Sequence, residues 1–273
     1  MRFVVPALAL LLACTPAASP APTAPTANAS PTTKVTAEGK TVEYQDGTTA
    51  LEGYLARPKD TANHPAVLVF HDWMGVSDDT RRRADQLAEL GYVALAADVY
   101  GKGVRPQGPE EAGKLAGRFK GDRPSMRARG RAALARLLAE PGVDPAKVAA
   151  IGYCFGGTEA LELARDGAPL VGVVSFHGGL GSPHPEDGKN IKGRVLVLHG
   201  ADDPFVKPDE VAAFEDEMRA AHVDWQLVAY GGAVHAFTVR GAGGDPSKGA
   251  AYDAKADARS WEAMAAFFGE LFR

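Results

Sequence analysis

The chain has 273 residues, of which 45% are hydrophobic and 23% are charged, the balance of an ordinary globular enzyme and not of a disordered or fibrous chain. Its formal net charge of -4 provides no basic surface to neutralise phosphates, which argues against nucleic acid as a partner. Residues 39–273 are long enough for one hydrophobic core, so a single folded domain is expected there.

The N-terminus has the composition of an export signal. Arg2 supplies one positive charge, and the apolar run at 7–12 is too short to cross a bilayer as a permanent helix. Residues 11–14, with the sequence LLAC, resemble the lipobox of bacterial lipoproteins. This resemblance implies that residues 1–13 are a signal peptide and that Cys14 is acylated after cleavage. An ordinary signal peptide that happens to contain a cysteine is the alternative, and both interpretations export the protein.

Residues 14–38 are interpreted as a tether. Their main part, 15–33, is almost entirely Ala, Pro, Thr and Ser, with too little apolar bulk to form a core and with prolines that favour extended chain. We therefore expect a protein of the bacterial cell envelope, whose domain at 39–273 contacts the membrane only through a lipid anchor at Cys14. With Cys14 modified, Cys154 has no second cysteine for a disulfide and becomes a candidate nucleophile.

Beyond the tether, β-branched and aliphatic segments alternate with helix-like segments, the pattern of a mostly parallel sheet with helices on both faces. The first two strands alternate in polarity and predict an antiparallel edge pair, whereas 67–70 and 195–198 are continuously apolar, as in buried strands. The segment 178–193 is predicted to be a surface loop. The predicted strands are 41–45, 51–57, 66–70, 93–97, 148–151, 172–176, 195–199 and 226–230. The predicted helices are 79–90, 110–119, 125–140, 157–165, 208–221 and 252–272.

Cys154 stands at a predicted strand-to-helix turn. Residues 151–157, with the sequence IGYCFGG, follow one apolar strand and precede a helical pattern. Glycines two residues before and two residues after a central nucleophile let strand and helix approach closely, as in a nucleophile elbow. A buried structural cysteine at a tight turn is the alternative interpretation.

Two later strands deliver an acid and a histidine to the same edge of the sheet. GADDP at 200–204 follows one strand, and His235 follows the next. Reactive groups collect at the carboxyl ends of parallel strands, and the order nucleophile, acid, histidine is that of α/β-hydrolases. The imidazole would take the proton of the thiol, and the carboxylate would orient the ring. Both Asp202 and Asp203 fit the role of the acid.

Four motifs between residues 40 and 270 together resemble the dienelactone hydrolase family. They are GYVALAADVYG at 91–101, GYCFGG at 152–157, GADDP at 200–204 and HAF at 235–237. The resemblance implies the α/β-hydrolase fold, a catalytic triad of Cys154, Asp203 and His235, no metal and no organic cofactor.

The same resemblance implies an oxyanion hole formed by the backbone amides of Phe155 and Trp73. Where the family usually has a glutamate that holds the resting thiol, this sequence has Asp72. Asp72 is therefore a candidate partner of the thiol. The alternative is that this shorter acid ties down the oxyanion loop.

The substrate-binding positions depart from the family. Family enzymes that bind the dienelactone carboxylate use two arginines, and the matching positions hold Lys102 and Val239, with Arg240 displaced by one residue. A lysine is a flexible point charge without the planar fork of arginine, so we expect neutral short-chain esters to be hydrolysed at least as well as anionic lactones. Candidate substrate-binding residues are Tyr100, Lys102, Phe237 and Arg240.

The sequence thus predicts a hydrolase that cleaves small-molecule carboxylic esters or lactones through a cysteine nucleophile and a thioester acyl-enzyme. One alternative is a non-catalytic envelope lipoprotein that uses the hydrolase fold as a binding module, since a fold does not guarantee a function. A thiol redox protein is disfavoured because the sequence has no resolving cysteine. Metal sites are not expected, because the sequence has neither a His-Glu-x-x-His motif nor paired cysteines at ligand spacing.

Replacing Cys14 with Ser should release the mature protein from membranes into a soluble envelope fraction, because the acylated side chain would be lost. Ester hydrolysis should be unaffected, since the tether carries no catalytic group. Mass spectrometry of the mature N-terminus measures the modification directly. An unmodified N-terminus at a residue other than Cys14 would rule out the lipid anchor.

Overall fold

The computed structural model describes residues 34–273, together with Met1 and Phe3. The predicted signal peptide and the tether as far as residue 33, including Cys14, lie outside the described residues. The first strand begins at Ala37, just before the predicted start of the domain, and the N–H of Val35 already donates to the carbonyl of Glu89 at 2.9 Å. None of the described helices has the length and apolar character needed to cross a membrane.

Eight strands of the described chain form one sheet in the order β1-β2-β4-β3-β5-β6-β7-β8. The strands are β1 Ala37–Asp46, β2 Thr49–Pro58, β3 His64–Phe70, β4 Val93–Ala97, β5 Val143–Tyr153, β6 Gly172–Phe176, β7 Arg194–Gly200 and β8 Trp225–Tyr230. The α-helices between and after them are α1 Asp78–Glu89, α2 Pro109–Gly121, α3 Arg123–Leu138, α4 Phe155–Arg165, α5 Pro208–Ala220 and α6 Ala254–Leu271.

The strand directions confirm the predicted α/β architecture. β1 and β2 pair antiparallel at one edge, β2 pairs antiparallel with β4, and the pairs from β4 through β8 are all parallel. β4 and β6 are buried at every residue, which is why their sequences are continuously apolar, whereas β1 is largely exposed. The parallel strands therefore end at one common edge.

Two hydrophobic layers cover the two faces of the sheet, because successive side chains of a strand point to opposite faces. In β3, Leu68 packs in one layer and Val69 in the other. Helices α2, α3, α4 and α5 contribute to the layer of Leu68, and helices α1 and α6 contribute to the layer of Val69. The carboxyl ends of the strands emerge between these layers, where loops carry the site.

Two local features differ from the sequence prediction. The predicted loop at 178–193 contains a short 3₁₀ helix, Pro185–Asn190. β5 extends back to Val143, which pairs with His64 before a shift in register, although the polar sequence around Pro145 gives no strand signal. Pairing with the neighbouring strand, and not local propensity, sets the start of β5.

Candidate active site

Cys154 lies in a strained turn between β5 and α4. Its φ of 54° and ψ of -114° place a non-glycine residue in a region that L-residues rarely adopt. The strand and helix nearly touch here: a Cβ on Gly152 would lie 1.8 Å from the carbonyl oxygen of Gly156, and one on Gly156 would lie 2.3 Å from that of Phe70. The two glycines are therefore required for this turn, which presents Cys154 at the sheet edge.

A chain of hydrogen bonds joins Cys154, His235 and Asp203. His235 Nε2 lies 3.0 Å from Cys154 Sγ, and His235 Nδ1 lies 2.8 Å from Asp203 Oδ2. The other oxygen of the buried Asp203 carboxylate accepts from the backbone N–H of Phe205 at 2.8 Å. Asp202 is exposed. Of the two candidate acids, the structure places Asp203 against the histidine.

The loop that carries His235 is fixed by its own backbone. The N–H of His235 donates to the carbonyl of Gly249 at 3.1 Å, and its carbonyl accepts from the N–H of Ala251 at 3.0 Å. The next residue, Ala236, also has a positive φ, of 58°, although it is not a glycine. These bonds hold the imidazole at the carboxyl end of β8.

The electrostatics of His235 favour its charged form. Burial of the ring opposes protonation, but the hydrogen bonds to Asp203 and Cys154, together with their charges, outweigh it and raise the pKa of His235 to about 10. A protonated ring at 3.0 Å is positioned to donate to Sγ, and the thiolate is the nucleophilic form of cysteine. The pair can thus supply a nucleophile and a proton donor.

Two backbone donors come from Phe155, which follows Cys154 in the chain, and from Trp73, which lines the same cavity as Cys154. Within residues 34–273, the N–H groups of Trp73 and Phe155 have no hydrogen-bond acceptor. Phe155 is the first residue of α4, whose N–H has no partner inside the helix. Trp73 is held by its carbonyl, which accepts from the hydroxyl of the buried Tyr100 at 3.0 Å. These donors have the chemistry of an oxyanion hole.

Asp72 belongs to the same loop as Trp73. Its carboxylate accepts from the N–H of Met74 at 2.8 Å, and within the described chain the thiol of Cys154 bonds to His235 and not to Asp72. Burial raises the pKa of Asp72, although the N–H of Met74 and the charge of His235 oppose the rise. The geometry corresponds to the alternative in which Asp72 ties down the oxyanion loop.

A cavity of about 1260 Å³ opens onto Cys154 and His235. Its apolar wall comes from the oxyanion loop and from the loops after β7 and β8, with Trp73, Met74, Phe205, Val206 and Val239. Its charged side chains are Asp72, Asp79, Lys120, Arg123 and Glu210. No group of three or more His, Cys, Asp or Glu side chains in the described part of the chain could hold a metal ion.

The sequence profile of the dienelactone hydrolase family matches residues 51–272, which include most of β2, every strand from β3 to β8 and the site just described. The chain belongs to the dienelactone hydrolase family. It is therefore a dienelactone hydrolase-like hydrolase, and the family resemblance and fold class expected from the sequence are confirmed.

Solved structures and curated relatives of the family match nearly the whole domain. A structure named m3DLH is 44% identical, with a TM-score of 0.83, over 86% of this chain and 98% of its own. A dienelactone hydrolase-like promiscuous phosphotriesterase from metagenomic libraries is also 44% identical, with a TM-score of 0.81 and the same coverage. A protein of Aquifex aeolicus, provisionally named carboxymethylenebutenolidase, is 31% identical over 84% of this chain and 97% of its own.

The four candidate substrate-binding residues, Tyr100, Lys102, Phe237 and Arg240, are not among the residues that line this cavity. Tyr100 is buried, and its hydroxyl donates to the carbonyl of Trp73. Phe237 is buried in the hydrophobic layer that contains Val69. Lys102 pairs with Glu43 at 2.6 Å, and Arg240 is exposed in the 3₁₀ turn Arg240–Ala242. Neither cation contributes to the wall around Cys154.

The structure adds cavity residues that the sequence analysis did not single out. Lys120 and Arg123 come from the junction of α2 and α3, and Glu210 comes from α5. These three lie outside the dienelactone hydrolase motifs, so no local pattern marks them. Phe205 had a signal, because it is an aromatic residue two positions after Asp203.

We expect the His235 ring to titrate near pH 10, because the bonds to Asp203 and Cys154 favour its charged form. In Cys154→Ala the midpoint should fall, since one of the two stabilising partners is lost while burial remains. NMR of the imidazole signals measures both values. Asp202→Asn is the control and should leave the midpoint unchanged. A wild-type midpoint near the ordinary value of 6.5 would contradict the arrangement.

Proposed function

We propose that this hydrolase cleaves carboxylic esters and lactones through a thioester acyl-enzyme on Cys154. The observation that carries the proposal is the hydrogen-bonded chain from Cys154 Sγ to His235, at 3.0 Å, and from His235 to Asp203, at 2.8 Å, on the wall of one cavity. A non-catalytic binding module would gain nothing from this contact, so we do not propose that alternative.

In the first half of the proposed reaction, the thiolate of Cys154 attacks the carbonyl carbon of the substrate. The carbonyl oxygen becomes an oxyanion, and the N–H groups of Phe155 and Trp73 donate to it. The tetrahedral intermediate then collapses as its C–O bond breaks, and the imidazolium of His235 gives its proton to the leaving alcohol oxygen. For a lactone, that alcohol stays attached to the acyl chain.

In the second half, neutral His235 takes a proton from a water molecule, and the resulting hydroxide attacks the thioester carbon. The C–S bond breaks, the carboxylic acid leaves, and the proton stays on His235, which restores the thiolate and imidazolium of Cys154 and His235. Asp203 holds the ring by one nitrogen and stabilises its charge in both halves. No oxidant, metal or further reactant is needed.

For the setting of this activity, we propose that the enzyme is exported and held in the bacterial cell envelope by a lipid on Cys14. The LLAC sequence at 11–14 and the Pro- and Thr-rich tether support this placement.

A second candidate activity is the hydrolysis of neutral phosphotriesters. It is favoured by the 44% identity, over 98% of the relative, to the structure described as a promiscuous phosphotriesterase. Cys154 would attack phosphorus in place of carbon. Release of an aryl alcohol from an aryl dialkyl phosphate by the wild type, and its loss in Cys154→Ala, would support this activity. Release that survives in Cys154→Ala would rule it out.

Cys154→Ala and His235→Ala should each lower ester turnover by about a thousandfold or more, because members of a triad act as one unit. The double variant should have nearly the same turnover as the slower of the two single variants. Steady-state kinetics on small neutral esters measure this, and trapping of an acetyl group on Cys154 by mass spectrometry shows the thioester. Independent losses that multiply in the double variant would contradict the proposal.

Asp203→Asn should cost about a hundredfold or more, because the amide cannot hold the same ring tautomer beside the thiol. Asp202→Asn is the matched control, since that neighbouring carboxylate is exposed and, within residues 34–273, forms no hydrogen bond or ion pair with His235. A larger loss in Asp202→Asn would assign the acid to the other residue.

A further inference from the structure

Phe205 is a large apolar side chain that stays 61% exposed although it lies beside the reactive groups. It follows Asp203 by two positions and lines the cavity. Its ring meets the ring of His235 edge to face, with centroids 5.5 Å apart and planes at 88°. An exposed aromatic ring in this position offers a surface for an apolar part of a ligand.

The chain around Phe205 fixes where this ring can be. The N–H of Phe205 donates to the carboxylate of Asp203 at 2.8 Å. Behind the ring, a Cβ on Gly249 would lie 2.8 Å from Pro204 Cγ and 3.4 Å from Phe205 Cζ, so this backbone packs directly against the ring. The carbonyl of Gly249 also accepts from the N–H of His235. Phe205 and His235 are thus held by the same segment.

The ring of Phe205 lies where the alcohol group of a bound ester would extend in the proposed reaction. In the proposed reaction, His235 Nε2 gives its proton to the leaving oxygen, so that oxygen must lie within hydrogen-bond reach of Nε2. The group attached to this oxygen then extends over the surface next to the imidazole, which is the ring of Phe205. The carbonyl oxygen, in contrast, points to the N–H groups of Trp73 and Phe155.

We infer that Phe205 forms the leaving-group subsite and that the enzyme prefers esters whose alcohol carries an aromatic or bulky apolar group. This inference rests on the proposed function. The cations of the cavity, Lys120 and Arg123, come from another wall, where Arg123 donates to the carbonyl of Gly181 at 3.3 Å. No hydrogen bond or ion pair within residues 34–273 joins either cation to His235 or Phe205.

The test compares kcat/KM for benzyl acetate and ethyl acetate, two esters that give the same acetyl-enzyme. Their ratio reports the step in which the alcohol leaves, and any general damage to His235 cancels. In Phe205→Ala the benzyl-to-ethyl ratio should fall by about 3- to 10-fold, the range expected for the loss of one aromatic contact. Phe205→Tyr should keep the ratio, because it keeps the ring. Leu138→Ala, which truncates an exposed apolar side chain at the end of α3, should not change it.

The acyl side provides the internal control. The ratio of ethyl phenylacetate to ethyl acetate should be unchanged in Phe205→Ala, because the two esters share their alcohol. A fall in this ratio instead would assign Phe205 to the acyl subsite and overturn the inference, as would an unchanged benzyl-to-ethyl ratio. A preference for 4-carboxybenzyl acetate over benzyl acetate that disappears in Lys120→Ala would also overturn it. Undiminished turnover of ethyl acetate by Cys154→Ala would instead reject the proposed function.

Discussion

The close approach of β5 and α4 fixes the backbone of Cys154 in a conformation that an isolated chain would avoid. Gly152 and Gly156 allow the approach because side chains at these positions would overlap main-chain atoms. The strain at Cys154, of order 1–3 kcal/mol for such a residue, persists because the surrounding sheet and helix are packed on both faces. The backbone of the turn therefore fixes the position of the thiol at the sheet edge, where it meets His235.

The charge of His235 depends on the buried carboxylate of Asp203. Two backbone N–H groups, those of Phe205 and Val206, hold one oxygen of the buried Asp203 carboxylate, which leaves the other oxygen for His235. The carboxylate then offsets the cost of burying a charged ring, as the raised pKa of His235 shows. A carboxylate one residue earlier, at Asp202, is exposed and supplies none of this.

The sequence predicted those strands and site residues whose positions depend on local residue pattern, and it missed those that depend on contacts between distant residues. β4 and β6 were predicted at their observed bounds, because strands buried on both faces are continuously apolar. The start of β5 was missed, since pairing with His64 outweighs its polar sequence. Motif spacing brought Cys154, Asp203 and His235 to one edge, but residue type could not choose between adjacent aspartates. Cavity walls are set by where loops and helix ends pack in three dimensions, so the sequence did not identify Lys120, Arg123 and Glu210 as lining residues.

The parallel order of the sheet also makes the site a late product of folding. Cys154 and His235 are 81 residues apart in the chain, and β6 and β7 lie between β5 and β8 in the sheet that brings the imidazole to the thiol. Contacts of such separation carry a high loop-closure entropy and form slowly compared with local helices. A chain whose synthesis stops before β8 has the cysteine but not the histidine. The appearance of the contact between Cys154 and His235 during refolding would therefore report the pairing of the last strand, independently of the helix content measured by circular dichroism.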